Sequence, residues 1–345
     1  MKKINLALFA VFACFLVSCA NKEKPTTCEP VAEKTPIVLA YVGAGSDVMP
    51  DPNYVTHINY AFGYVSETFD GVKIQNEERL KKITELKKDH PELKVLLSIG
   101  GWTSGRFSEM AMDPKTRMAF AVDCKRVVDE FNLDGIDLDW EYPTSSESGI
   151  SSAPEDKDNF TALMHDIRGT IGDDKLLTLA SAYTAKYYDF PAIDKYIDFV
   201  NIMTYDMGRP PYHNSPLYKS KYVRDLSAAE SVEAHVKAGV PLNKLTLGLA
   251  FYGHAVKEIS DYVNFKDMHT LDKDYTLQWD DEAKVPYYVD KDGKMVCSFD
   301  DARSLELKCK YVLENGMLGA MYWEYTCDDD NGTLRKIVYN TVMQK

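Results

Sequence analysis

The chain has 345 residues, 53 acidic against 40 basic side chains, a formal net charge of −13 and an ordinary globular share of apolar residues, 45%. Such an acidic chain repels phosphate backbones and anionic lipid, which argues against nucleic acid as a partner and suits a neutral substrate. Its seven histidines show no zinc-type spacing and its seven cysteines no CxxC pair, so neither a metal centre nor a cofactor is expected.

The chain opens with Lys2 and Lys3, followed by an unbroken apolar run from Leu6 to Val17. That is short for a membrane span and suits an export signal. The run ends Leu16-Val17-Ser18-Cys19, which resembles the bacterial lipobox, in which the Cys becomes the lipidated first residue. Residues 1–18 therefore read as a lipoprotein signal peptide and Cys19 as the lipidation site. The expected location is a membrane-anchored protein facing the periplasm or the cell surface. Loss of Lys2 and Lys3 leaves 38 basic against 53 acidic side chains, a mature net charge of −15. Residues 19–35 are polar, with Pro25 and Pro30 and no apolar periodicity, and read as a flexible tether. Cys14 leaves with the signal. Cys28, Cys124, Cys297, Cys309 and Cys327 read as scattered buried thiols, or as those plus one disulfide in an oxidising compartment.

From Pro36 to Lys345 the chain reads as one block, expected to be monomeric, in which short apolar runs alternate with amphipathic stretches. Strands are predicted at Ile37–Val42, His57–Gly63, Lys94–Ile99, Gly135–Trp140, Leu176–Ala182, Phe199–Tyr205, Leu245–Phe251 and Leu318–Trp323. Helices are predicted at Glu77–Lys88, Pro114–Phe131, Glu155–Ile171, Ala228–Ala238, Ala302–Asn315 and Thr333–Val342. Asp113-Pro114 is a good helix start, a capping residue before a proline. Eight strand–helix alternations point to an α/β fold, a closed TIM-type (β/α)8 barrel. A long proline-rich loop, 206–226, follows the sixth strand. Residues 254–299, with short extended pieces around Tyr287–Val289 and Met295–Ser298, read as a small α+β insertion between the seventh strand and its helix.

The fourth strand is unusual. In Asp134-Gly-Ile-Asp-Leu-Asp-Trp-Glu-Tyr-Pro143, Asp137, Asp139 and Glu141 alternate with Ile136, Leu138 and Trp140. A solvent-facing strand could carry such acids, but in a barrel the apolar face must pack against helices, so the acids point inward. A calcium loop needs a bend and ligands outside a strand. Stacked buried carboxyls cannot all ionise, and one held protonated near neutral pH can serve as a general acid. Glu141, nearest the C-terminal mouth, is placed to reach a substrate.

This stretch resembles the DxxDxDxE signature of glycoside hydrolase family 18, the chitinase family. Five further segments resemble the family in barrel order: Asn59–Phe62, Ser98–Trp102, Met203–Asp206, Gly248–Gly253 and Gly319–Trp323. The resemblance spans roughly residues 37 to 343. It implies retaining hydrolysis of β-1,4-linked N-acetylglucosamine glycans, with the substrate's own acetamido oxygen as nucleophile, an exception to the two-carboxylate scheme. It implies Glu141 as acid and base, and Asp139 holding the acetamido N–H. Asp137 would share the proton of Asp139, and Tyr205 would orient the acetamido carbonyl. Asp206 would bind the distorted sugar and Trp323 would form the floor beneath it. Trp102, Tyr142, Met203, Tyr41 and Phe62 are further candidate sugar contacts. Asp134 reads as a structural cap.

His254 stands where many relatives carry Arg, Ala250 where many carry Pro, and Tyr183 where a small residue and proline are common. These departures leave the chemistry intact and bear on the depth and length preference of the cleft. Two other functions compete: an endo-β-N-acetylglucosaminidase acting on N-glycans, or a hydrolase of bacterial wall glycan. A third, of a different class, is a non-catalytic glycan-binding lipoprotein on the same barrel.

Overall fold

In chain order the strands and helices of the computed structural model are β1 (Ile37–Gly43), β2 (His57–Val65), β3 (Val72–Ile74), α1 (Glu77–Glu85), β4 (Lys94–Gly100), α2 (Phe107–Met112), α3 (Pro114–Glu130), β5 (Gly135–Asp139), α4 (Asp156–Ile171), β6 (Leu176–Ala182), α5 (Phe190–Ile193), β7 (Phe199–Met203), α6 (Ala228–Lys237), β8 (Leu245–Ala250), β9 (Tyr252–Ala255), β10 (Val263–Asn264), β11 (Thr276–Asp280), β12 (Val285–Val289), β13 (Met295–Ser298), α7 (Ala302–Glu314), β14 (Gly319–Trp323) and α8 (Thr333–Val342). The structure describes residues 35–345. The signal-like segment, Cys19 and Cys28 lie outside the described residues.

Eight strands pair in parallel in the order β1, β2, β4, β5, β6, β7, β8 and β14, and β14 returns to β1, closing the barrel. The expected TIM-type (β/α)8 architecture is present. Strands buried on both faces read as near-continuous apolar runs, which is why they were visible in the sequence. Helices α1, α3, α5, α6 and α7 start on side-chain caps. Asp113 accepts from the Lys115 N–H ahead of α3, and Ser227 with Glu230 and Asp301 with Ser304 form reciprocal capping boxes on α6 and α7.

β5 shows why its acids point inward. Ile136, Leu138 and Trp140 are fully buried. Trp140 stacks on Phe107 of α2 (5.3 Å between ring centroids) and packs at 6.2 Å against Phe160 of α4. The opposite face of the strand is then committed to the barrel interior. At the other end, Asp134 accepts from the Val95 N–H (2.9 Å) and pairs with Lys87 (2.7 Å), a structural role at the barrel's N-terminal face.

Several elements differ from the sequence expectations. β2 runs on to Val65 and turns back through β3. α2 and the one-turn α5 were not anticipated. β5 and β7 stop one and two residues earlier than predicted, where the chain leaves the ladder ahead of Glu141 and Tyr205, and β8 stops one residue earlier, where the chain passes into β9. Between β8 and α7 the chain forms a second, antiparallel sheet ordered β10-β9-β13-β12-β11. It covers its own small core, including Met268, Leu271, Tyr288 and Phe299.

The loop 206–226 is anchored from below by buried polar groups. Lys308 of α7 donates to both oxygens of Asp300 (2.7 and 2.6 Å) and to the Ser215 carbonyl (2.5 Å), and Ser215 in turn donates to the Thr204 carbonyl (2.6 Å). Both members of the ion pair are fully buried. Lys308→Met is expected to cost about 3–5 kcal/mol, because it leaves the Asp300 charge buried without its cation. Urea denaturation checks this, with Lys308→Met/Asp300→Leu recovering most of the loss. A single variant as stable as the parent would show the pair to be dispensable.

No helix of the described residues is long and apolar enough to cross a membrane. Cys124, Cys297, Cys309 and Cys327 are free, buried thiols.

Candidate active site

A cavity of about 270 Å³ opens at the C-terminal ends of the barrel strands. It lies near the lower end of the usual range for small-molecule sites, roughly 300–1,000 Å³. Tyr41, Phe62, Trp102, Asp139, Glu141, Met203, Tyr205, Asp206 and Trp323 line it. The C-terminal face of such a barrel is where its chemistry is built.

The acidic column has three different environments. Asp137 lies deepest and is fully buried. Its carboxyl accepts from Thr178 (2.5 Å), Ser98 (2.8 Å), Tyr41 (2.9 Å) and Asn201 (3.2 Å). Burial raises its pKa, and these four donors pull it back. Its acceptor positions are thus occupied by donors from neighbouring strands. Asp139 is the opposite case. Its Oδ1 is buried without a partner among the described residues. Burial first, then the charges of Glu141 and Asp137, push its pKa well above the carboxylate range. Ionisation of a carboxyl in that position is opposed until a partner or a positive charge comes to meet it. Glu141, at the mouth, is raised from the usual 4.5 to about 7, chiefly by burial, with the charge of Asp206 adding and a hydrogen bond with Tyr142 opposing.

A close approach of backbone sets the height of this column. Gly100 ends β4 with φ +129°, and a Cβ there would lie 2.0 Å from the Asp139 carbonyl oxygen. Only glycine fits. The same carbonyl accepts from the Gly101 N–H (2.9 Å), which carries the chain to the exposed Trp102 at the rim.

Tyr205 is buried, and among the described residues its hydroxyl finds only the Met321 sulfur at 3.8 Å, a weak acceptor. Burial, followed by the charge of Asp139, raises its pKa well above the usual value, so it keeps its proton and stays available as a donor. Trp323 forms an aromatic floor with Phe62, stacked at 5.6 Å and 21°, and Tyr41, tilted at 5.8 Å. Asp206 has φ +56°. Its N–H donates to Asn214 Oδ1 (2.9 Å), and its carboxylate accepts from the Tyr252 hydroxyl (2.7 Å) and contacts His254 Nε2 (2.6 Å).

The cavity therefore brings together Asp139, Glu141, Tyr205, Asp206, Trp323, Trp102, Met203, Tyr41 and Phe62 from the sequence expectations. It does not bring in Tyr142, whose ring stacks face to face on Tyr187 (4.6 Å, 1°). Asp137 sits beneath the cavity, and Tyr183 is not among its lining residues. Sequence reasoning missed Thr178 and Asn201 as holders of Asp137, and Tyr252 as a holder of Asp206. Polar residues at inward strand positions were the available signal for the first two. A Ser298–His213–Asp280 chain (2.9 and 3.0 Å) has the residue types of a nucleophilic triad, but all three are buried, and it ties the loop 206–226 to the second sheet. Among the described residues no cluster could hold a metal ion.

The family model "Glycosyl hydrolases family 18" matches residues 34–328. Chitinase A1 of Niallia circulans is 34% identical over 339 residues, covering 84% of this chain and 47% of the relative. Chitotriosidase-1 of Mus musculus is 31% identical over 326 residues, 82% of this chain and 69% of the relative. The chain thus spans about half the length of the bacterial relative. A solved structure, a family 18 N-acetylglucosaminidase from Paenibacillus barengoltzii, superposes with a TM-score of 0.79 at 34% identity, covering 89% of this chain and 99% of that one. This chain belongs to glycosyl hydrolase family 18.

Proposed function

We propose that the protein hydrolyses β-1,4-linked N-acetylglucosamine chains, chitin or chito-oligosaccharides, with retention and with assistance from the substrate. One observation carries the reading. A carboxyl raised to about 7 stands at the cavity mouth above a second one whose buried oxygen has no partner among the described residues. The first suits a proton donor, and the second suits a polar group that only the substrate brings.

Glu141 gives its proton to the glycosidic oxygen as the bond from that oxygen to the anomeric carbon breaks. The acetamido oxygen bonds to the anomeric carbon from the other face, forming an oxazolinium. Asp139 turns its free oxygen to the acetamido N–H and stabilises the positive charge. Tyr205 donates to the acetamido oxygen and aligns the attack. Asp137, held by its four donors, fixes the base of the column. Water then loses a proton to Glu141 and attacks the anomeric carbon, the oxazolinium opens, and the original configuration is restored. Trp323 lies under the sugar and keeps water from its lower face.

Product analysis on a chitin hexamer beside a glycoprotein bearing N-glycans tests the substrate. Dimers and trimers from the hexamer alone support the reading. Whole glycans released from the glycoprotein move the function to deglycosylation. No product from either counts against hydrolysis of both.

The lipobox-like Leu16–Cys19 supports a second proposal, that the mature chain is anchored through lipid on Cys19. Cys19→Ala is expected to shift the protein from the membrane to the soluble fraction. Unchanged membrane fractionation would refute it.

A further inference from the structure

Glu141 stands on backbone beyond the sheet. β5 ends at Asp139, and residues 140–142 leave its ladder. Two consecutive tyrosines from the segment between β6 and α5 hold this backbone on either side of the acid. Before it, the Tyr188 hydroxyl shares its proton between the Trp140 carbonyl (3.0 Å) and the Ala180 carbonyl (3.2 Å). After it, the Tyr187 ring lies flat on the ring of Tyr142, 4.6 Å between centroids and 1° between planes. The carbonyl of Glu141 itself accepts from Ser148 Oγ (2.8 Å). Tyr187 and Tyr188 are both buried, and Tyr188 packs against Phe160 and Phe190 (4.7 and 5.7 Å), which fixes the segment that carries the pair.

Neither ring of the stack lines the cavity. What Tyr142 reaches is its neighbour. It hydrogen-bonds the Glu141 carboxyl, which favours the ionised form. Tyr142 is only half-buried, so the direction of its ring depends on the flat partner beneath it. Glu141 is faced by Asp206 from the loop after β7, by Tyr205 at the end of that strand and by Asp139 below it. Tyr142 is faced by Tyr188 and, across the stack, by Tyr187. The Lys186 ammonium stands over the Tyr187 ring at 4.7 Å, in the field of Glu147 and Tyr183.

We propose that Tyr187 is a positioning residue for Glu141: its ring fixes the ring of Tyr142, and Tyr142 in turn fixes the carboxyl that gives the proton. This rests on the reading of Glu141 as the general acid. The brace has two effects. It aims the carboxyl at the glycosidic oxygen, and it keeps the proton loosely enough held to be given up, because a hydrogen bond to the carboxylate offsets part of the burial. Loss of the flat partner frees Tyr142, and the carboxyl then keeps its proton to higher pH.

Two measurements test this. The first needs no sugar. Carboxyl ¹³C NMR of the unliganded chain follows the titration of Glu141, with Glu141→Gln used to assign the signal. Tyr187→Leu, which fills space without a flat face, should move the midpoint up by about one pH unit, the effect of losing a hydrogen bond to a charged group. Tyr142→Phe, which keeps the stack and loses the hydroxyl, should move it equally. The double variant should move it no further, and Tyr187→Phe should restore the wild-type midpoint. A midpoint that stays or falls in Tyr187→Leu, or shifts that add in the double variant, overturn the proposal. The second is the pH profile on a chitin hexamer. In Tyr187→Leu the alkaline limb of kcat/KM should move up with the midpoint, and the plateau kcat should fall about tenfold with KM nearly unchanged. A ring that only fills space would lower thermal stability and leave the limb and kcat in place, and that result also overturns the proposal. If the wild type cleaves no chito-oligosaccharide, the sugar reading fails and the titration still decides the brace.

Discussion

Glu141→Gln is expected to lower kcat on chito-oligosaccharides by about 10²- to 10⁴-fold, the contribution of a positioned general acid. Sugar affinity should be largely kept, since the amide has almost the same volume and remains a donor. The same residue predicts the alkaline limb of the pH profile. With the carboxyl raised to about 7, kcat/KM falls as pH rises through that value and the proton is lost.

A stability consequence follows from the same shift. The unfolded chain has an ordinary carboxyl near 4.5, and the folded one binds its proton up to about 7. The stabilisation is complete below about 4.5 and is lost as pH rises through 7. Glutamine does not titrate, so Glu141→Gln should gain on the wild type by up to about 3 kcal/mol above pH 7, a gap that closes in acid. Thermal unfolding at acidic and alkaline pH measures it. A constant difference across pH would contradict the assigned environment of Glu141. Near wild-type turnover would remove its catalytic role.

Asp139→Asn is expected to cost about 10²- to 10³-fold in kcat with little change in KM, because it removes a charge aimed at the positive intermediate while leaving the ground-state contact. Asparagine fits the site: it replaces a buried oxygen that has no partner among the described residues and a carboxyl whose ionisation burial opposes. The folded variant should therefore be as stable as the parent or more stable. A variant that loses KM and kcat together would instead mark Asp139 as a uniform binding group. A turnover within about tenfold of wild type would leave the orphaned oxygen without a catalytic use.

The barrel was legible because its strands are buried on both faces and its helices are amphipathic, with α3 announced by its Asp113-Pro114 start. Ile136, Leu138 and Trp140 orient the acids in the sequence itself, since only helices can cover that apolar face. The second sheet was half legible. Tyr287–Val289 and Met295–Ser298 showed as extended pieces. β11 did not, because Thr276–Gln278 are exposed and the strand is too short for Leu277 and Trp279 to mark a buried face. α5 is a single turn, too short for a period to show. The peptide bonds Ala61–Phe62, Glu141–Tyr142 and Trp323–Glu324 are cis at non-proline positions, for which residue type offers no signal.

Within the site, the acids and the tryptophan floor could be read from motifs, but their partners could not. The donors to Asp137 come from four different strands, β1, β4, β6 and β7. None of them neighbours Asp137 in sequence, so no motif pointed to them. Tyr252 and His254 grip Asp206 across 46 and 48 residues of chain. Tyr142 illustrates the reverse. It sits next to Glu141 in sequence, yet the strand has ended and its ring turns onto Tyr187.

Substrate-assisted retention is tested most directly by the first anomer released. A chitin hexamer is hydrolysed in an NMR tube and the anomeric protons of the new reducing ends are followed before mutarotation. The account predicts the β-anomer as the initial product, formed by wild type and not by Glu141→Gln or Asp139→Asn on the same timescale. Initial α-anomer would contradict it, since that outcome requires direct attack by water from the opposite face and leaves Asp139 and Tyr205 without their roles.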